Sequence, residues 1–306
     1  MRSGKISKMM TKNNETLDIG LLVLGYSRPE LFETAARSLR HLGLPQTTRR
    51  YGVIDGARHS KGHGFKANQE VQKRGESLLE EGVLTDLTIR RGNLGTMQNV
   101  YRSVNEVLER HEFVFVLEDD LEILPMAKGA LPQLIRHMGC DVTTFGIYCH
   151  KSWSQGLFLS QRFSSQGWGT SRDGWRGFDV EEIKNLNLSS SQKKLLCDVA
   201  GTDMVAGLRA FQIGLLDSWA IPWNVFNFLH GRKMIYTPNS YVTNKSHLAG
   251  AERTWGIEFR YETASRPLVD VSGTSLHLNQ KYLKHFSRGA RLKRRFWAEV
   301  AKKIGR

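Results

Sequence analysis

The sequence predicts an α/β fold built on a largely parallel sheet with helices on both faces. Three observations lead there. Short apolar, β-rich runs recur at Ile19 to Leu24, Tyr51 to Ile54, Leu87 to Ile89 and Phe113 to Leu117, each the length of a buried strand. Helical signals lie between them, and such alternation favours parallel pairing with crossover helices. Each run also ends in polar residues: Tyr26-Ser27-Arg28, Asp55-Gly56, Arg90-Arg91-Gly92-Asn93 and Glu118-Asp119-Asp120. In sheets of this kind, ligands bind beyond the carboxyl ends of the strands, where loops converge and helix N-termini offer free N–H groups.

Taken in order, residues 1–18 are polar and are expected to form a flexible leader. After the first strand, Ser27, Pro29 and Glu30 stand where a capping box would open a helix toward Leu42. Met97, Val100, Tyr101, Val104, Val107 and Leu108 recur at three-to-four spacing, which predicts an amphipathic helix before the fourth strand. The second half is less regular. Thr143 to Cys149, Leu157 to Phe163 and Lys233 to Tyr241 are strand-like, Asp203 to Leu216 is helical, and Pro222 and Trp223 interrupt a further apolar stretch. The expected division is a main domain over 19–280, with a nucleotide-binding half at about 19–125 and an acceptor-side half at about 126–280. A basic C-terminal helix over 281–306 follows.

In that tail, Leu292, Phe296, Val300 and Ile304 recur every four residues among basic side chains. It holds ten Lys or Arg against the single acid Glu299, so most of the chain's net charge of +14 sits there. A basic amphipathic helix suits an anionic membrane surface, or it docks on the domain with its charges in water. The rest of the chain is only modestly basic, which suits phosphorylated substrates better than duplex nucleic acid. Cys140, Cys149 and Cys197 match neither a zinc ribbon nor a disulfide framework. No stretch approaches the roughly 20 apolar residues of a membrane span. The expected setting is the cytoplasm, with the protein peripheral on the inner face of the membrane.

Three consecutive carboxylates, Glu118, Asp119 and Asp120, repel one another unless a cation sits among them. A hard divalent ion, Mn²⁺ or Mg²⁺, would supply it and would neutralise a diphosphate leaving group. The alternative is a solvated acidic turn. Gly167-Trp168-Gly169 offers either a flat wall for a sugar ring or core aromatics.

The run Phe113-Val-Phe-Val-Leu-Glu-Asp-Asp-Leu-Glu122, preceded by Asn93-Leu94-Gly95, resembles the donor-site segment of GT-A glycosyltransferases. The likeness is to the N-acetylglucosaminyltransferase I group and related bacterial sugar transferases. Leu21-Leu-Val-Leu-Gly-Tyr-Ser-Arg-Pro29 and Phe163-Ser-Ser-Gln-Gly-Trp-Gly-Thr-Ser-Arg-Asp-Gly-Trp175 resemble further segments of the group, in the same order. The resemblance implies a GT-A, Rossmann-like sheet and a metal-dependent, inverting transfer from a nucleotide-sugar, UDP-linked, to a glycan or lipid-linked acceptor. It implies Asp120 as metal ligand, Asp119 near the ribose and Glu118 supporting the loop. Arg28 would face the diphosphate and Asp55 the base, unless Arg28 only caps or pairs on the surface and Asp55-Gly56 is simply a tight turn. Asn93 and Gly95 shape the turn into the helix or else join Trp168 and Gly169 in completing the donor site. His247 lies where a late loop closes over the diphosphate and would add a metal or phosphate contact. The base that deprotonates the acceptor would be Asp217, in Asp217-Ser218-Trp219, or its rival Asp173. Either Asp could instead cap a helix. Two competing readings are a nucleotide-sugar-binding protein without catalysis and a metal-dependent nucleic-acid-binding protein.

Overall fold

The computed structural model describes residues 17–149, 156–245, 263–268, 276–279 and 282. Residues 1–16, His247 and all but one residue of the basic tail lie outside them.

The central strand β1 (Ile19–Gly25) is buried along its whole length. Its side chains alternate between two cores: Ile19, Leu21 and Val23 point into one, Leu22 and Leu24 into the other. Burial on both faces explains why the strand is apolar throughout rather than alternating. It pairs in parallel with β2 (Arg50–Ile54) on one side and β4 (Phe113–Glu118) on the other, and β3 (Asp86–Ile89) pairs with β2. The crossovers are α1 (Pro29–Ser38), α2 (His63–Glu80) and α3 (Thr96–Leu108). Phe32, Ala35 and Ala36 of α1, with Val71 and Leu78 of α2, pack in the first core; Val100, Val104 and Val107 of α3 pack in the second. The chain therefore winds outward through β2 and β3, crosses the other face, and returns as β4 beside β1. That reversal makes the ends of β1 and β4 the topological switch point, where an open α/β sheet forms its crevice.

The second half extends the sheet beyond β4. After β5 (Leu121–Ile123) and a short α4 (Ala130–Ile135), β6 (Val142–Gly146), β7 (Phe158–Ser160), β8 (Trp168–Ser171) and β9 (Lys233–Tyr236) complete the order β3-β2-β1-β4-β8-β6-β9-β7. Among these strands β8 and β7 run against the rest. The mostly parallel sheet with helices on both faces agrees with the fold the sequence predicts. Four short helices follow β8: α5 (Arg172–Trp175), α6 (Val180–Lys184), α7 (Ser190–Ala200) and α8 (Met204–Gln212). They and α9 (Ala220–Leu229) surround an aromatic core in which Trp168, Trp175, Trp219, Trp223, Phe178 and Phe226 pack ring on ring.

Several local expectations shift. Helix α1 starts at Pro29 with Arg28 as its N-cap and no side-chain capping bond, so the capping box at Ser27 does not form. Arg28 turns its side chain across the crevice instead. Pro222 and Trp223 lie inside α9 rather than breaking it, because the third helical residue has no intrahelical partner for the N–H that proline lacks. The strand expected from Lys233 to Tyr241 ends at Tyr236, and β10 (Val242–Asn244) leaves to pair antiparallel with β5. Among the described residues no helix is long and apolar enough to cross a membrane.

Candidate functional site

Four residues meet at the switch point. Arg28, just past β1, donates from Nη2 to Oδ1 of Asp119, and its Nη1 lies 3.5 Å from Oδ2 of Asp120. Asp119 is buried and its Oδ2 has no hydrogen-bond partner. Glu118, the last residue of β4, accepts from Nε1 of Trp219 at 3.2 Å. Trp219 in turn stacks on Trp168, centroids 4.4 Å apart and planes 21° from parallel. Asp120 has its backbone carbonyl fixed by the N–H of Lys245 at 2.7 Å. One guanidinium thus faces three carboxylates, and negative charge remains in excess. Burial, then repulsion from Asp120, pushes Glu118 up to about 8. Burial also pushes Asp119 up to about 6, against the pull of Arg28.

A second cation would relieve this excess. Among the described residues no three His, Cys, Asp or Glu converge on a common point. A small hard cation does not need them, because it keeps several waters and takes one or two carboxylates together with substrate phosphates. The unpartnered oxygen of Asp119 and the partly exposed carboxylate of Asp120 suit such an ion. The donor set fits.

The second cluster stands at the ends of β2 and β3 and is occupied from within. Asp55 Oδ1 accepts from the N–H groups of Gly56 and Leu94, both at 2.9 Å. Its Oδ2 accepts from Gly95 N at 3.0 Å and Asn93 Nδ2 at 2.9 Å. Asn93 also donates to the Gly56 carbonyl at 2.8 Å. Burial raises the pKa of Asp55 in spite of these donors. Of the two readings of Asp55, a base contact or a tight turn, the geometry shows the second: both oxygens hold the turn from β3 into α3. Asn93 and Gly95 belong to that turn as well.

Asp217 completes the same motif. Its Oδ2 accepts from Thr96 N at 2.8 Å and its Oδ1 from Met97 N at 2.9 Å. Four successive N–H groups, Leu94 to Met97, are therefore held by two carboxylates from distant parts of the chain. The N-terminus of α3, which the fold offers to a phosphate, is already capped. Gly95 is required there: its φ is +80°, and a Cβ would stand 2.8 Å from Asp217 Oδ2.

No protein-family model matches the chain, and no curated protein matches it. Among solved structures 86 chains match. One is the mannosyltransferase PcManGT from Pyrobaculum calidifontis in complex with GDP-Man and Mn²⁺, 10% identical, with a TM-score of 0.41 over 74% of this chain and 80% of that one. TarS of S. aureus is 11% identical, with a TM-score of 0.44 over 75% and 61%. GalNAc-T7 with UDP, GalNAc and Mn²⁺ is 10% identical, with a TM-score of 0.45 over 74% and 43%. The chain spans less than two thirds of the length of the last two. The solved structures it is similar to are glycosyltransferases.

Three further expectations are corrected by placement. Asp173 sits beyond Ser171, which pairs with Phe113 at the start of β4. Because β8 runs antiparallel, Asp173 lies at the opposite end of the sheet from Asp120, exposed and paired with Arg176 at 2.9 Å. It cannot serve a reaction at the crevice. Trp168 is fully buried between Trp219, Trp175 and Trp223, so it is core rather than a wall for a sugar. Gly169 is mid-strand, where a Cβ would meet Phe145 at 2.2 Å and the Val114 carbonyl at 2.4 Å. Its role is close packing. The residue that sequence reasoning missed is Trp219, whose N–H fixes Glu118. The signal was present in Asp217-Ser218-Trp219, where only the acid was singled out.

Proposed function

We propose that the chain is a glycosyltransferase that binds its nucleotide-sugar at the ends of β1 and β4. The observation that carries this reading is the Arg28 guanidinium set between Asp119 and Asp120 at the switch point of the sheet. Few ligands call for a cation and a cluster of carboxylates side by side. A diphosphate with its metal does: the phosphates take the arginine and the metal takes the acids. Asp120 would hold the ion, with Asp119 completing its surroundings. When bound, Mn²⁺ or Mg²⁺ supplies positive charge to a departing nucleoside diphosphate. Arg28 binds the same oxygens, Trp219 holds Glu118 against the aromatic core behind the site, and that core excludes water. The sequence resemblance favours a UDP-linked sugar, an inverting displacement and a glycan or lipid-linked acceptor. The basic segment 281–306 would bring the protein to an anionic membrane surface.

One observation favours a second reading, a nucleotide-sugar-binding protein without turnover: the expected base Asp217 has both oxygens engaged as a helix cap. Thermal-shift measurements across a panel of nucleotide-sugars, with and without Mn²⁺, test the donor site, because a ligand of the native state raises apparent stability. A metal-dependent rise with at least one donor, lost in Asp120→Ala, is expected of both readings. No rise with any donor refutes both.

A further inference from the structure

The loop after β2 and the first turn of α2 carry Arg58, His59, Lys61, His63 and Lys66 within ten residues, all exposed, and the turn after β3 adds exposed Arg91. These two segments meet at their bases. Gly56 lies so close to Gly92 that a Cβ on it would stand 2.4 Å from the Gly92 backbone. Asn93 bonds the Gly56 carbonyl, and Arg58 Nε reaches Asn93 Oδ1 at 3.4 Å. The carboxylate within this platform is Asp55, whose oxygens are already filled by four donors. Among the described residues, Arg58, Lys61, Lys66 and Arg91 reach no carboxylate, although elsewhere Arg37, Arg74 and Arg90 are each paired with glutamate. Like charges gathered on one surface repel one another, and that cost is removed when an anion binds.

We infer that this basic rim binds phosphate. The anion site stands on the geometry alone, independent of the transferase reading above. Arginine forks and lysine ammonium groups are the side chains that phosphate oxygens select. The donor diphosphate is already provided for at Arg28 and Asp120. The rim lies on the other side of β1 from β4, roughly 5–10 Å along the sheet at ordinary strand spacing, so a phosphate group bound there sits beside the donor diphosphate and not on it. Single-stranded nucleic acid is disfavoured as the ligand, because base-stacking platforms are built chiefly on exposed Phe, Tyr or Trp rings and such a ring in this segment, Phe65, is partly buried.

The test uses the full chain and the variant Arg58→Gln/Lys61→Gln/Arg91→Gln, none of which makes the capping bonds of α3. A control, Lys128→Gln/Lys193→Gln/Lys194→Gln, removes equal charge elsewhere. Binding of inorganic pyrophosphate is measured without divalent metal, and binding to phosphatidylcholine vesicles with and without phosphatidic acid is measured in parallel. The rim variant is expected to lose at least about tenfold in affinity while the control loses less than about threefold. Loss toward both probes identifies phosphate itself as the ligand; loss toward vesicles alone identifies lipid-borne phosphate. Equal affinity of wild type and rim variant for both probes, or equal loss in the control, overturns the inference. Donor thermal shifts of the rim variant are recorded alongside. If they are absent in wild type while the phosphate effect persists, the transferase reading fails and the anion site stands.

Discussion

Replacing Asp217 with Ala removes the carboxylate that holds Thr96 N and Met97 N, at 2.8 and 2.9 Å. Loss of a helix cap costs about 1 kcal/mol, and loss of a negative charge at the positive end of the helix adds about 0.3–1 kcal/mol. Thr96 is exposed, so water replaces part of what is lost and the total stays near 1–2 kcal/mol. For a domain of this size each kcal/mol moves Tm by about 2–4 °C. The expected drop is therefore about 2–8 °C by calorimetry, with faster hydrogen exchange at amides 96 and 97. Asp217→Asn, which keeps one acceptor oxygen, should recover part of the loss. If Tm is unchanged while sugar transfer falls by 10²-fold or more, Asp217 is the base and the capping argument is wrong.

Asp55→Asn turns an NH₂ group toward backbone donors and leaves at least one of them unsatisfied, so a loss of about 2–4 kcal/mol is expected as a lower urea midpoint at unchanged slope. Gly95→Ala must hold an L-residue at φ +80° with its Cβ against Asp217, and should lower Tm by a few degrees, less so when combined with Asp217→Ala. Tyr236 is buried, its hydroxyl donates to the Arg162 carbonyl at 2.7 Å, and burial raises its pKa far above the usual phenol value. The folded state thus keeps a proton that the unfolded chain gives up near pH 10. Stability from this group is complete below that pH and is lost as pH rises through it. Tyr236→Phe should be less stable at pH 7 and show a shallower fall in Tm from about pH 9.5 to 11.

The first four strands were legible because each is an apolar run closed by polar residues, and because β1 and β4 are buried on both faces. Helix α2 was not. Its buried face consists of Asn68, Val71, Gly75 and Leu78, so only two apolar residues of eighteen mark that face and little periodicity is left to read. At the site, the acidic run and Arg28 could be found from their positions at strand ends, since parallel strands place those ends together. Asp173 and Trp168 were misplaced for one reason. The direction of β8 depends on its pairing with β4, a contact more than fifty residues away in sequence that no local signal carries. Asp55 and Asp217 show the same limit from another side. A carboxylate at a strand end looks available for a ligand until the N–H groups that fill it, from Leu94 to Met97, are seen beside it.

The most direct test of a donor site at the switch point is release of nucleoside diphosphate from a nucleotide-sugar, UDP-linked sugars first, by the full chain with Mn²⁺. The account predicts metal-dependent release that falls at least about 10²-fold in Asp120→Ala and in Arg28→Ala, while both variants stay folded. Release that survives either substitution unchanged would contradict it.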